Sequence, residues 1–411
     1  MGRTIHPQKP TNLPASSGSD SLRVIQATWG KFHHFDLARQ LEQRGLLEAI
    51  FSTYPRFKLR GEMIPLRRIR CRWLWQAPLL ALWRYGLNLG RIEPWWKRQL
   101  VRDFERWLCR NLPKSDVLIA LSGSGLAAGR RIKQQGGAYI CDRASTHIRW
   151  GDRILKDEYG RWGQQYLGTD PTFVAREEEE YNEADLITVP STFSARSFVE
   201  EGVSSRKIRI VPFGVELQQF NRVAEPSKEE FQVLFVGRVS FRKGVPYLLE
   251  AFRSFSHPRK KLTIIGLMSG EMRQWLSTRS FEHVDFLGAL PQKELPRYMS
   301  RSHVHVLASI EEGMAYVQAQ ALACGVPLIS SRHTGADDLI KDGREGFIVP
   351  IRDPNAICLH LEQLADDPAL RNRMSEAAQR CVRGLAGWNS YGNLMTDVIS
   401  EAQALAHTRK R

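Results

Sequence analysis

Ser309-Ile310-Glu311-Glu312-Gly313-Met314-Ala315-Tyr316-Val317-Gln318-Ala319-Gln320-Ala321-Leu322-Ala323-Cys324-Gly325-Val326-Pro327-Leu328-Ile329-Ser330 is the stretch from which the fold can be read. An apolar strand, His303 to Leu307, runs out just before it, and Glu311-Glu312-Gly313 makes the turn. Small residues from about Tyr316 to Ala323 predict a helix. It stops at Cys324-Gly325, glycine being the residue that most easily takes the left-handed cap. Val326 to Ser330 is the next strand, with Pro327 near its start. Strand, helix and strand in that order make one unit of a parallel sheet. Its loop lies at the carboxyl end of the first strand, the edge where open α/β sheets bind ligands. A helix N-terminus there offers N–H groups and a partial positive charge to an anion. Glu312 opens the helix, and Gln320, eight residues on, shares roughly its face. Spacing alone equally suits a glutamate that only answers the helix dipole and a glutamine in water.

Composition narrows the class. The 411 residues favour two or three domains, each able to bury a core. Hydrophobic content of 42% with 25% charge is ordinary for a soluble globular enzyme. Cysteines 71, 109, 141, 324, 358 and 381 are scattered, which suggests neither a zinc site nor a disulfide framework and points to a reducing cytosol. Residues 1–20 are polar, without the apolar run of a signal peptide, and are expected to be a disordered lead-in. No window approaches the ~20 apolar residues of a membrane span. The net charge of +15 is uneven, since residues 56–110 hold fourteen Arg or Lys against four acids. The same stretch holds Trp73, Trp75, Trp83, Trp95, Trp96 and Trp107. Such a mixture suits an anionic bilayer surface, or a solvated helical face with tryptophans turned to the core. No nucleic-acid motif accompanies it, so a nucleic-acid partner is not expected.

Alternating strands and helices run along the whole chain, the pattern of doubly wound domains. In the first half the strands are Leu22 to Thr28, Leu46 to Ser52, Asp116 to Leu121, Gly137 to Cys141, Asp185 to Pro190 and Ile208 to Pro212. The basic tryptophan-rich region, about 56–110, reads as a helical insertion, and 155–183 as helical with Glu177 to Glu180 on a solvated face. Residues 21–213 form this first domain, and the polar stretch from Phe213 to Glu230 reads as a linker. The second series begins at the strand Phe231 to Val236 and fills 214–385, with 386–411 a last helix that crosses back. Two Rossmann-like domains facing each other across a cleft is the economical architecture.

A second constellation follows that strand. It ends in Gly237-Arg238, and Arg242-Lys243-Gly244 precedes the next helix. Lys243 therefore stands at a helix N-terminus, where the dipole disfavours a cation. A phosphate between them would remove the penalty, whereas a solvated loop would leave it unexplained. There is no Walker-type lysine motif and no full Gly-x-Gly-x-x-Gly after the first strand, which argues against an NTPase or a dehydrogenase.

Both constellations resemble retaining glycosyltransferases of family four, which have the GT-B fold. The Glu-x7-Glu segment of that family usually reads Ser-x-x-Glu-Gly-Phe-Gly…Glu-Ala-Met-Ala-x-Gly-x-Pro-Val. Ser309, Glu312, Gly313, Ala321, Ala323, Gly325 and Pro327 match it, while Gln320 replaces the second Glu and Ala315 the second Gly. Gly237, Arg238, Lys243 and Gly244 are in register with the family's Gly-Arg-x4-Lys-Gly segment. Phe286-Leu287-Gly288-Ala289-Leu290 resembles the loop that receives the nucleotide base, and His333 to Ile340 and Asp342 to Phe347 follow as the family has them.

The resemblance implies a sugar moved from a nucleotide-diphosphate donor to an acceptor hydroxyl with retention, without a metal or other cofactor. It implies that Arg238 and Lys243 hold the diphosphate and stabilise its charge as the sugar leaves. Glu312 would bond the transferred sugar's hydroxyls. Gly237, Gly288, Leu290, Gly313, Met314, Ala315 and Val317 would line the donor, and Gln320 the ribose. Gln320 loses a charge but keeps an acceptor and adds a donor. Family members often carry a first-domain histidine near the anomeric centre. His147 is the candidate here, with Asp142 and Arg143 competing and a merely structural histidine the bland reading. Gly30, Lys31, His33 and His34 follow the first strand, where the floor of the cleft is expected, as acceptor or phosphate contacts. The implied partners are a UDP- or GDP-sugar and a carbohydrate or lipid-linked acceptor in polysaccharide, lipopolysaccharide or glycolipid synthesis. The expected location is the cytoplasm, with peripheral contact at the inner face of the membrane. The rival functions are a non-catalytic nucleotide-sugar binding or scaffold subunit and a GT-B nucleotide-sugar epimerase.

Overall fold

The computed structural model describes residues 22–84, 92–384 and 387–409, so the lead-in expected over 1–20 lies outside the described residues. In the first half the strands are β1 (Val24–Thr28), β2 (Leu47–Ser52), β3 (Ile69–Cys71), β4 (Val117–Leu121), β5 (Ala138–Asp142), β6 (Leu186–Val189) and β7 (Ile208–Ile210). In the second they are β8 (Phe231–Val236), β9 (Lys260–Ile265), β10 (Val284–Gly288), β11 (Val304–Leu307), β12 (Leu328–Ser331) and β13 (Gly346–Val349). Two parallel sheets result, ordered β3-β2-β1-β4-β5-β6-β7 and β10-β9-β8-β11-β12-β13. Most of these strands are buried runs of Val, Ile, Leu and Ala, as a sheet covered on both faces requires. Each order changes direction at the domain's first strand, between β1 and β4 and between β8 and β11. At such a reversal the loops part and leave a crevice at the carboxyl edge.

Helices cover the faces. They are α1 (His34–Gln43), α2 (Gln76–Arg84), α3 (Glu93–Asn111), α4 (Leu126–Gln134), α5 (Ile148–Arg161), α6 (Pro171–Glu183) and α7 (Thr192–Glu200) in the first half. The second half has α8 (Val245–Ser254), α9 (Gly270–Leu276), α10 (Leu295–Arg301), α11 (Tyr316–Ala323), α12 (Pro354–Asp366) and α13 (Pro368–Gly384), and α14 (Trp388–Arg409) comes last. On one face of the first sheet, Phe35 and Leu41 of α1 and Met395 and Ile399 of α14 bury against Val24, Ile119 and Ile140. Each such side chain stabilises the domain by about 1.5–3 kcal/mol. Thus α14, last in sequence, is built into the first domain, and Arg44 fixes it by donating to Asn389 and Asn393 at 2.8 and 2.6 Å. In the other direction Ile154, Tyr159 and Trp162, on and just after α5, pack on the core of the second domain. Trp162 lies against Tyr247 and Trp275 at 5.3 and 5.4 Å between ring centres. The two domains are thereby stitched together from both ends.

Three expectations need correction. The basic tryptophan-rich stretch is not purely helical, because Ile69–Cys71 pairs with β2 as the edge strand β3. Residues 155–183 are not one helix: α5 ends at Arg161, and the chain turns through Gly163 and Gly168, at φ 64° and 69°, before α6. Nor is Glu177 to Glu180 a solvated face. Glu178 and Glu179 point outward, to Arg149 and Arg130, but Glu177 and Glu180 are three apart and turn inward. Glu177 accepts from Arg143 and from the Tyr181 hydroxyl, each at 2.6 Å. Glu180 accepts the N–H groups of Gly123 and, at 2.6 Å, Gly125. Burial, with Glu177 close by, pushes the Glu180 carboxyl up to about 8. The glycine-rich turn after β4 is therefore an internal acid's seat, with those amides already engaged.

Candidate active site

The second-domain half of the site is built at the reversal between β8 and β11. β8 ends at Gly237, at φ 155°, where the neighbouring turn passes so close that a Cβ on Gly266 would stand 1.8 Å from the Gly237 carbonyl oxygen. Arg238 follows, exposed on the edge, with no carboxylate partner among the described residues. It lies close enough to Tyr159 of α5 to act on its hydroxyl electrostatically. The turn then reaches Gly244, at φ 65°, which caps α8. A Cβ there would stand 1.8 Å from the Ala308 carbonyl oxygen, so this turn is pressed against the end of β11. That contact sets Lys243 Nζ on Glu312 Oε1. One residue back, Arg242 Nη2 meets Glu311 Oε2 at 2.9 Å and Nε donates to the Glu311 carbonyl at 3.0 Å. An Arg-Lys doublet thus faces a Glu-Glu doublet across the crevice floor.

Glu312 does not open the helix, as its spacing suggests; α11 begins at Tyr316, capped by Ala315, and Glu312 lies in the loop before it. The loop stays extended because its groups are held elsewhere. The Gly313 carbonyl accepts the Ser191 hydroxyl at 2.6 Å, and the Ala315 N–H donates to Thr334 at 3.3 Å. Met314 and Val317 are half-buried beside it. Gln320 is half-buried with no side-chain partner among the described residues. Gln318 instead is fully buried, donating to the Thr334 carbonyl at 2.9 Å, and is the helix's structural glutamine. Gly288, at φ 70°, and Leu290 stand on the same carboxyl edge two strands over, where Gly288 accepts the Gly266 N–H at 2.8 Å.

Across the crevice the first domain brings its candidates together unequally. Gly30, at φ 58°, is fixed by Thr53 and Ser52 at 2.9 and 2.8 Å, and Lys31 pairs with Glu62 at 2.5 Å. His33 Nε2 lies 2.5 Å from Asp142 Oδ2 and His34 Nε2 lies 3.0 Å from the same oxygen, while Thr188 donates to Oδ1 at 2.6 Å. Burial favours the neutral acid, but His33 and then His34 hold the Asp142 carboxyl well below the usual range. Burial also pushes His34 down. The three ligating atoms lie within 4.8 Å of one another, as a divalent cation's donors would. At 2.5 and 3.0 Å, however, they stand at hydrogen-bond distance, closer than the roughly 3.3 Å between donors around tetrahedral zinc. The His33 ring lies 4.5 Å from Phe213, whose ring stacks at 5.1 Å on Tyr316, the first residue of α11. His33 and Asp142 therefore form the wall opposite the helix start.

His147 is a correction. It caps α5, its Nδ1 accepting the Arg149 N–H at 3.3 Å, and its ring sits between Tyr181 and Phe198 at 4.9 and 5.0 Å. Burial pushes it down to about 4. It belongs to the core behind the crevice. Arg143 is likewise turned inward, to Glu177 and, at 3.1 Å, Ser122.

The residues that sequence spacing passed over are those joining the halves. Glu311 accepts the Ser145 and Thr146 hydroxyls at 2.6 Å each. Burial opposes ionisation, yet Arg242 and these hydroxyls hold its carboxyl down at about 2. Arg352, after β13, pairs with Glu158 and Asp157 of α5 at 2.6 and 2.7 Å. Thr192 donates to Asp338, and Phe193 stacks on His333 at 4.4 Å. A hollow of about 660 Å³ edged by Glu105, Arg130, Arg131 and Arg176 lies over α3 and α4, away from all of this chemistry.

Residues 218–380, most of the second domain, match the family model for glycosyl transferases group 1. The second domain thus matches this family over most of its length. A glycosyltransferase of Methanocaldococcus jannaschii is 24% identical to it over 347 residues, covering 78% of this chain and 86% of the relative. The amylovoran biosynthesis glycosyltransferase AmsK of Erwinia amylovora is 25% identical over 197 residues, 45% of this chain and 48% of the relative. The chain thus spans most of one curated relative and about half of the other. Among solved structures, sucrose-phosphate synthase from Thermosynechococcus elongatus superposes with a TM-score of 0.70 at 21% identity, over 92% of this chain and 99% of that one. Anabaena HepE, solved in complex with UDP, superposes at 0.67 and 15% identity, over 92% of this chain and 100% of that one. At these identities the likeness establishes the two-domain GT-B fold. Among the described residues no helix is long and apolar enough to cross a membrane.

Proposed function

We propose that the protein is a group 1 glycosyltransferase that transfers a sugar from a nucleotide-diphosphate donor to an acceptor hydroxyl with retention, in the synthesis of a polysaccharide, lipopolysaccharide or glycolipid. The observation that carries the reading is the Lys243–Glu312 pair at the β8/β11 reversal with the uncompensated Arg238 beside it. A diphosphate entering there takes up Arg238, draws Lys243 from Glu312, and meets the N–H groups at the start of α11. Glu312, released, accepts the sugar's hydroxyls. The fixed guanidinium and ammonium groups then stabilise the leaving phosphate without a divalent cation. The acceptor hydroxyl attacks from the leaving group's side and its proton passes to the departing phosphate oxygen. Gln320 bonds the ribose. Anabaena HepE has been solved with UDP-glucose, which makes UDP-sugars the first donors to try.

The acceptor is proposed to be lipid-linked. Phe57, Met63 and Trp73 are 64%, 81% and 44% exposed, and Leu66 and Leu74 are exposed with them. Arg56, Lys58, Arg60 and Arg67 are exposed along the same segment, and Arg56 ties it together by donating to the Leu66 carbonyl at 2.7 Å. Apolar tips set among cations match an anionic bilayer. Sugar-labelled UDP-glucose, UDP-galactose and UDP-N-acetylglucosamine, each incubated with vesicles of anionic phospholipid carrying a polyprenyl-diphosphate-linked sugar, should move label into the vesicle fraction. Equal transfer to a soluble sugar without vesicles would contradict the membrane part. No consumption of these or of the GDP- and ADP-sugars would sink the whole reading.

A further inference from the structure

We infer that Glu311 is a positioning residue, through which contact with the first domain completes the donor site of the second. The inference rests on the donor reading above and adds a residue to it. Glu311 is only 3% exposed although it carries a charge. An ionised carboxylate in such a place costs several kcal/mol unless each oxygen is answered. From the second domain Arg242 answers Oε2 with its Nη2, and its Nε holds the Glu311 backbone carbonyl. The others come from the first domain: the hydroxyls of Ser145 and Thr146 on Oε1, with the Thr146 N–H at 3.4 Å. Arg143 braces that first-domain turn by donating to the Thr146 carbonyl at 2.9 Å.

Glu311 and Glu312 are consecutive, as are Arg242 and Lys243, so the two ion pairs share a backbone at each end. Fixing the first pair fixes the second. The same turn sets Ala144 against Gly313, where a Cβ would stand 2.1 Å from the Ala144 carbonyl oxygen. When the domains part, Glu311 loses every first-domain partner, water reaches it, and the 311–315 loop keeps only Arg242, Lys243 and the Ala315–Thr334 hydrogen bond. Lys243 and Glu312 then keep the Gly244–Ala308 contact but lose the brace that orients the loop between them. Donor is thus held productively only with the acceptor domain in place, which limits its loss to water.

The test uses the full-length double variant Ser145→Ala/Thr146→Val, which leaves every second-domain residue intact. Hydrogen exchange without any ligand should be about tenfold faster at amides 311–315 and 242–245, with the rest of the second domain unchanged. With donor, kcat should fall about 10- to 100-fold while the affinity for UDP stays within about twofold, since the lost element is alignment. Thr146→Ser, which keeps the hydroxyl, should restore both readouts. Unchanged exchange, or kcat and UDP affinity falling together with the melting temperature, would overturn the role. The exchange arm needs no substrate. A wild-type protein that turns over no donor therefore removes the reading above while the coupling still stands or falls by itself.

Discussion

Lys243→Met should lower turnover by about 10²- to 10³-fold, the usual effect of removing one preorganised group that stabilises developing charge. Methionine keeps the unbranched stem, so the packing around Gly237, whose Cβ would stand 3.9 Å from the Lys243 side chain, is retained. What is lost is the ammonium. Glu312 is then left nine-tenths buried with no cation on Oε1, and breaking a buried pair from one side costs up to about 3–5 kcal/mol. Two effects are therefore superposed and must be separated. Lys243→Met/Glu312→Gln removes both charges and should recover the stability without recovering turnover. Lys243→Arg should keep a substantial part of both. Steady-state kinetics with the donor, beside urea unfolding of the same proteins, reads the two apart. Turnover restored in the double variant would show that Lys243 serves only to neutralise Glu312.

Gly244→Ala should be, with Gly266→Ala, among the most destabilising single methyl groups in the second domain. Gly244 combines a left-handed φ of 65° with an added Cβ 1.8 Å from the Ala308 carbonyl oxygen. The first factor alone costs about 1 kcal/mol for a non-glycine residue. The second cannot be relieved by a side-chain rotation, because the obstruction is the backbone of β11. A loss of at least about 3 kcal/mol is expected, with the Lys243–Glu312 contact disrupted as β8 and β11 separate. Gly343→Ala is the control. Its φ is 76° but nothing lies within 4 Å of the added atom, so it should show the conformational cost by itself. Equal losses in the two variants, measured by urea unfolding, would mean that the close approach of the two turns contributes nothing.

How much of this could be read from the letters depends on the range of the interactions. The β11–α11–β12 unit and the Gly237 to Gly244 turn were legible because their constraints are local. Gly237, Gly244 and Gly325 all take a positive φ that the sequence position demands. The alternation of strands and helices likewise gave both domains and the fold. β3 was missed because three residues flanked by arginines carry no period. Glu177 and Glu180 were misread because a run of four glutamates does not say which face of α6 is inward; Gly123, Gly125 and Arg143 decide that, and all three come from other elements. That Asp142 faces His33 while His147 turns toward Tyr181 and Phe198 depended on partners far away, since His33 meets Asp142 across 109 positions. Glu311 meets Thr146 across 165. Its doublet with Glu312, opposite Arg242-Lys243, was visible, but the spacing rule selected only one member.

The claim beneath all of this is that a nucleotide's phosphates are held at the β8/β11 reversal of the second domain. Hydrogen exchange across the whole chain, with and without saturating UDP, GDP or ADP, tests it most directly. The expected result is that at least one nucleotide slows exchange at 237–245 and 312–320 and leaves the glycine-rich turn at 122–126 unchanged. Protection confined to that turn or to the first domain, or no protection by any of the three, would contradict it.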